Sequence, residues 1–225
     1  MTDRLPAHQI AHARLRDMVL FGEIAPGSAV TIEGLVARLD LGMTPVREAI
    51  RRLIAEGALQ MLGNRRVCVP RLDTAALTDL GYARTAIETR LASQAMAHCD
   101  AAVIAQLRAV DAQLDRAIAE GDIPGYLRAN HAFHFTLYAR AGSEVLEALV
   151  NSLWLRFGPS LRVVCLAQGR ARGAHGAGLH EPDNHKRALA ALDQGDETAL
   201  CAAIAADIAQ GVENIRAGLA GGLFA

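Results

Sequence analysis

Apolar positions along the chain follow helical spacing, then extended spacing, then helical spacing again, and the order predicts an architecture. In 7–21, Ile10, Leu15, Met18 and Val19 recur at helical intervals and Gly22 follows as a stop. Ala25-Pro26-Gly27-Ser28 is a turn signal. Thr31 can cap a short helix over 32–39, whose apolar members are Ile32, Leu35, Val36 and Leu39. A break at 40–42 leads into a second helix over 44–56, with Pro45 in its first turn and Gly57 as its stop. Two short apolar segments, 59–62 and 67–70, flank a Gly63-Asn64 turn and predict a hairpin. Helix, turn, helix, hairpin is the layout of a winged helix-turn-helix.

From Thr74 onward, apolar residues at i, i+3, i+4 spacing predict helices near 74–98, 101–120, 123–141, 143–167, 182–194 and 196–218. Gly121-Asp122, Gly142 and Gly195 punctuate them. The stretch 168–178 holds four glycines without periodicity and predicts a mobile loop, with His175 and His180 solvated in or beside it. The predicted fold class is mainly α. A winged helix-turn-helix domain with a small β-hairpin wing occupies 1–72, and an all-α helical bundle occupies 73–225.

Composition agrees with packed helices: of 225 residues, 52% are hydrophobic and only 4% aromatic. The net charge of -1 hides a split, because ten arginines against seven acids leave 1–72 at +3 and the remainder at -4. That sign is the one expected if DNA meets only the N-terminal part. Lys186 is the sole lysine. Cys68, Cys99, Cys165 and Cys201 form no C-x-x-C pair and read as reduced, mostly buried thiols. With no secretory pattern at the N-terminus and no apolar run of about 18 residues, a cytoplasmic protein with no membrane partner is expected.

On a helical wheel, Val46, Ile50 and Leu53 cluster on one side of the 44–56 helix, flanked by Ala49 and Ile54. Thr44, Arg47, Glu48 and Arg51 fall opposite, with Arg52 at the edge. Such a face suits the major groove of double-stranded DNA, where arginine contacts guanine O6/N7 or phosphate. Arg65 and Arg66 at the hairpin tip are placed to grip the backbone or minor groove. The alternative is an ordinary solvated face.

The stretch from Leu15 to Val69, above all Thr44-Pro45-Val46-Arg47-Glu48-Ala49-Ile50 after the Pro26-Gly27 turn, resembles the winged helix-turn-helix of GntR-family regulators. The family usually has Ser-Arg before the Thr-Pro, where this chain has Gly42-Met43, and a wing glycine where Arg66 stands. The contact made by the usual Arg then passes to Arg47, Arg51 or a wing residue. The rest of the chain resembles the FadR-type C-terminal domain, FCD, through Arg84-x-x-x-Glu88, Asn130-His131-Ala132-Phe133-His134, and His185-x-x-x-Leu189 with Gly195-Asp196 and Asp207.

That resemblance implies a divalent metal, Zn2+ with Mn2+ or Ni2+ as alternatives, held by Asn130, His134, His185 and Asp207. Asn130 stands where Asp is usual and Asp207 where the last His is usual. Residues i and i+4 share a helical face, so Asn130 and His134 can converge. The competing reading is a pair of hydrogen-bonded core histidines. His131 is turned away and reads as structural or pocket-lining. Arg84 is the candidate for binding a carboxylate effector, its alternative being an ion pair with Glu88 one turn on. Trp154, Phe157, Arg156 and Arg162 line a pocket or a dimer seam, or fill core.

The expected function is a homodimeric, non-enzymatic transcriptional regulator. It would bind an inverted-repeat operator, with its affinity set by a small organic acid and a metal in the helical domain. Two rivals are a DNA-binding dimer with an effector-free bundle and a metal-dependent hydrolase.

Overall fold

The computed structural model describes residues 5–172 and 183–224. Its first elements follow the apolar periodicity closely. Helix α1 spans Ala7–Leu20, α2 Ile32–Leu39 and α3 Met43–Ala55. Thr31 accepts a hydrogen bond from the Gly34 amide at 3.0 Å and so caps α2. Asp40, in the left-handed conformation, ends it. Strand β2 is Gln60–Leu62 and β3 is Arg66–Cys68.

A third strand, β1 (Val30–Thr31), pairs with β3 on the side away from β2. Both pairings are antiparallel, with Val30 opposite Val67 and Met61 opposite Val67. Two residues carry no period, so nothing in the pattern announces β1. Arg66 is not at the hairpin tip, as expected, but within β3, opposite Leu62 and Thr31. The tip is Gly63–Arg65, where Asn64 and Arg65 both take positive φ, at 60° and 54°.

Packing divides the described residues into two units. The first runs to Leu72 and includes Trp154–Val163, which the sequence pattern assigns to the C-terminal domain. Leu15, Val19, Leu35, Val46, Leu53 and Val67 are wholly buried in it. Each such side chain contributes about 1.5–3 kcal/mol of apolar burial. The distant segment joins because it fits the helix ends. Arg156 donates to the Glu56 carbonyl at 3.4 Å and Arg162 to the Phe21 carbonyl at 3.1 Å, covering carbonyls at the ends of α3 and α1. Gly158 lies so close to the Leu20 carbonyl that any side chain there would collide with it. Trp154 and Phe157 are buried as core.

The second unit, Asp73–Leu153 with Val164–Leu223, is helical. It contains α4 (Thr74–Met96), α5 (Ala101–Glu120), α6 (Ile123–Tyr138), α8 (Asn184–Gln194) and α9 (Glu197–Ala220). It also holds the two ends of α7 (Glu144–Arg172). Five of these helices start on an aspartate whose carboxylate accepts a first-turn amide: Asp73, Asp100, Asp122, Asp183 and Asp196. The main packings are α4 on α9, α5 on α6 and α8 on α9. Helix α7 continues to Arg172, so the expected loop is helical over its first five positions. The remainder of that expected loop, with His175 and His180, lies outside the described residues. Cys68 and Cys165 are buried, Cys99 and Cys201 half-buried, and none is in a disulfide. No helix among the described residues is long and apolar enough to cross a membrane.

A positive φ at a non-glycine residue costs roughly 1–2 kcal/mol, part of which glycine recovers at the expense of a freer unfolded chain. Arg65→Gly is expected to stabilise the first unit by about 0.5–1 kcal/mol. The exposed Arg65–Glu33 approach, 3.9 Å, offers little to lose. Urea unfolding followed by fluorescence of the sole tryptophan, Trp154, reports that unit; an unchanged or lowered midpoint would contradict strain at Arg65.

Candidate DNA interface and candidate metal centre

Helix α3 buries Val46, Ala49, Ile50 and Leu53, and its other side carries the polar residues. Thr44, Arg47, Glu48, Arg51 and Arg52 are all exposed. Arg52 is engaged one turn on, its Nε 3.1 Å from Glu56 Oε1. Arg47 and Arg51 have no hydrogen-bond or ion-pair partner among the described residues. In the wing, Arg65 stands 3.9 Å from Glu33, and Arg66 Nε donates to the Gly63 carbonyl at 3.5 Å. Both are exposed, so the first unit presents two unengaged arginines on α3 and two loosely held ones on the wing.

In the second unit, α6 supplies His134, α8 His185 and α9 Asp207. His134 Nε2 lies 3.0 Å from Asp207 Oδ2 and 3.3 Å from His185 Nε2. His185 Nε2 lies 3.9 Å from Asp207 Oδ1. His134 is wholly buried, His185 nearly so, and Asp207 half-buried. Asn130 is buried one turn before His134 on the same face of α6, and its side chain makes no hydrogen bond among the described residues. The fold therefore brings three of the four expected residues into a cluster, with Asn130 one helical turn from His134.

The protons around His134 can be assigned from its partners. Arg84 and Glu88 form a fully buried bidentate pair, Nε to Oε1 at 2.6 Å and Nη2 to Oε2 at 3.2 Å. Of the two expectations for Arg84, the pairing with Glu88 is the one displayed. Tyr138 also donates to Glu88, at 2.8 Å. Burial and then the Glu88 charge push the Tyr138 phenol well above its usual range, so it keeps that proton. With its one proton on Glu88, the Tyr138 oxygen accepts from His134 Nδ1–H at 3.0 Å. A neutral His134 then turns a bare Nε2 toward a carboxylate and a second imidazole.

Acceptors this close require a cation among them, either an added proton or a metal. A tetrahedral metal with bonds of about 2.0–2.1 Å sets its ligand atoms about 3.3 Å apart, close to the 3.0 Å and 3.3 Å that separate His134 Nε2 from Asp207 Oδ2 and His185 Nε2. Two imidazoles and a carboxylate suit Zn2+, Mn2+ or Ni2+. With a proton on His134 Nε2, burial, which acts to raise the Asp207 carboxyl, is outweighed by the hydrogen bond and charge of His134, followed by the charges of His185 and Arg84, and the group is held at about 2. Burial also acts to raise Asp111 of α5, yet His185 and Lys186 together hold it below the usual carboxylate value. His131 stacks on Phe135, ring centroids 4.1 Å apart, and stays out of the cluster. Tyr138 and Glu88 could have been found in the sequence as the i+4 partners of His134 and Arg84. Asp111 carries no local signal.

The family model for bacterial regulatory proteins of the gntR family matches residues 7–69, and that for the FCD domain matches residues 79–210. The HTH-type transcriptional regulator McbR of Escherichia coli is 27% identical over 184 residues, covering 81% of this chain and 80% of that protein. The HTH-type transcriptional repressor GlaR, also of Escherichia coli, is 27% identical over 150 residues, covering 62% of this chain and 66% of GlaR. Among solved structures, Escherichia coli McbR/YncC superposes with a TM-score of 0.86 at 23% identity, covering 96% of this chain and 100% of that one. A putative GntR regulator from a Rhodococcus species gives 0.72 at 23% identity, covering 93% and 97%. At these identities the structural likeness speaks to the fold.

Titration of chelator-treated protein with Zn2+ is expected to saturate at one ion per chain. His134→Ala and Asp207→Ala are each expected to abolish uptake while circular dichroism stays helical. Undiminished uptake by both variants would place the ion elsewhere.

Proposed function

This chain belongs to the gntR family of bacterial regulatory proteins, with an FCD domain after its helix-turn-helix, and on that premise we propose a homodimeric regulator whose operator affinity responds to a small organic acid. Its DNA-binding, transcription-regulating character follows from the family. The finer reading rests on the two sites. Arg47 and Arg51 reach base edges or phosphates in the major groove, with Thr44 and Arg52 on the flanks of the same face. Arg65 and Arg66 of the wing hold the backbone or the adjacent minor groove. Two copies of the first unit engage half-sites of an inverted repeat.

In the second unit, His134, His185 and Asp207 would hold a divalent ion, with the Asn130 amide oxygen as a fourth donor, and the ion would supply a Lewis-acid position for a carboxylate. Arg84 does not take that carboxylate directly, because freeing its guanidinium would leave Glu88 buried without its counter-charge. A ligand changes operator affinity only through unequal binding to two states of the protein.

The unengaged Arg47–Arg51 face of α3 carries the DNA part of the reading. Selection from a randomised duplex pool is expected to return an inverted repeat. Arg47→Ala is expected to lose sequence-specific binding to it at moderate salt with an unchanged circular dichroism spectrum. Retention of specific shifts by that variant removes Arg47 from the interface. For the sensing part, thermal shifts with a panel of carboxylates, with and without Zn2+, are expected to show stabilisation that depends on the ion. No shift with any acid and no ion uptake would instead favour an effector-free bundle.

A further inference from the structure

His134 and His185 both present Nε2 to the cluster, so the Nδ1 of each ring faces other partners. For His134 that partner is the Tyr138 hydroxyl. For His185 it is Asp111, whose Oδ1 stands 3.7 Å from Nδ1. Asp111 is 5% exposed, and this Oδ1 is a buried oxygen that accepts no hydrogen bond among the described residues. Its other oxygen faces Lys186, with Nζ 3.4 Å from Oδ2. Lys186 in turn binds both oxygens of Asp115 at 2.9 Å and Asp183 at 2.6 Å. Asp183 is also the N-cap of α8, accepting the Lys186 amide at 3.0 Å. Phe133 stacks flat on the His185 ring, centroids 4.0 Å apart and planes 13° apart.

The ring, the cap and the lysine thus belong to one helix start, and Asp111 faces them from α5. A hydrogen bond from Nδ1 to Oδ1 requires a shift of about 0.5 Å. Resting on the reading that His134, His185 and Asp207 hold a metal, we propose that Asp111 is the positioning residue of that centre. It accepts the Nδ1 proton of His185, fixes the tautomer in which Nε2 is the free donor, and is itself held by Lys186. The two imidazoles then differ in kind. His134 is backed by a phenol oxygen and His185 by a carboxylate, which makes His185 the more basic ligand. A purely structural Asp111 would serve only as a partner for Lys186.

The variants Asp111→Asn, Asp111→Leu and Lys186→Met separate these roles in the full chain. In Zn2+ competition against a chelating dye, Asp111→Leu is expected to lose about 10–100-fold in affinity. Asp111→Asn, whose amide oxygen can still accept from Nδ1–H, is expected to lose less, and Lys186→Met to fall between wild type and Asp111→Leu. In metal-free protein, nitrogen-15 shifts of His185 are expected to report the Nδ1–H tautomer in wild type and Asp111→Asn, and a tautomer mixture in Asp111→Leu. Where the leucine variant does not fold, Asp111→Ala replaces it. Wild-type affinity and an unchanged tautomer in Asp111→Leu, alongside Zn2+ uptake by wild type, would overturn the role of Asp111 and leave the metal centre standing. Failure of wild type itself to take up Zn2+ would overturn the centre, while the metal-free nitrogen shifts still decide whether Asp111 sets the tautomer.

Discussion

Glu88 sits wholly buried in the helical unit, and the state of the cluster follows from what its carboxylate accepts. Two hydrogen bonds come from Arg84 and one from Tyr138. The first two balance its charge, without which a buried carboxylate would be strongly unfavourable. The third commits the phenol proton, so Tyr138 can only accept from His134 Nδ1–H, and the Nε2 that faces Asp207 and His185 is left to an added proton or a metal. A chain of assignments beginning with an ion pair on α4 therefore ends as a cation-demanding cluster shared by α6, α8 and α9. Removing one partner of such a pair costs about 3–5 kcal/mol, so the pair supports the fold as well as the cluster.

The two candidate sites are built on opposite physical terms. On α3, Arg47 and Arg51 stand in water without partners among the described residues, so the cost of approaching phosphate is mostly the release of bound water and counterions. At the cluster the two imidazoles are already out of water, His134 held by a hydrogen bond and His185 by a stacked ring, so on the proposed reading little ordering would remain for a cation to impose. The first site gains by being uncommitted and the second by being committed.

Most of the first unit is legible in the sequence because its determinants are local. The α3 wheel separates Val46, Ala49, Ile50 and Leu53 from Thr44, Arg47 and Arg51, and burial divides them the same way. Thr31 as a cap and Gly57 as a stop are likewise read within a few residues. The i,i+4 spacings of Arg84–Glu88 and Asn130–His134 are local too, although spacing alone could not decide whether Arg84 meets a ligand or Glu88. What escapes the sequence lies in contacts between distant segments. Strand β1 is too short to show a period, and the left-handed Arg65 belongs to a tip whose exact residues depend on strand register. Asp111 reaches His185 across 74 positions of chain without any periodic mark. The attachment of Trp154–Val163 to the first unit depends on two arginines finding carbonyls far upstream, which hydrophobic spacing cannot encode.

That attachment bears on how the chain is made. A protein leaves the ribosome from its N-terminus at about 5–20 residues per second, and a contiguous leading domain can fold while the rest is still being synthesised. Here the first unit lacks Trp154, Phe157 and the Arg156 and Arg162 side chains until residue 163 has emerged. The wait after residue 72 lasts roughly 5–18 s at those speeds, and during it Leu20 and Phe21 have no helix to cover them. The nascent chain therefore carries an incompletely packed winged module while residues 73–163 are added, and the final packing of that module waits on the arrival of α7.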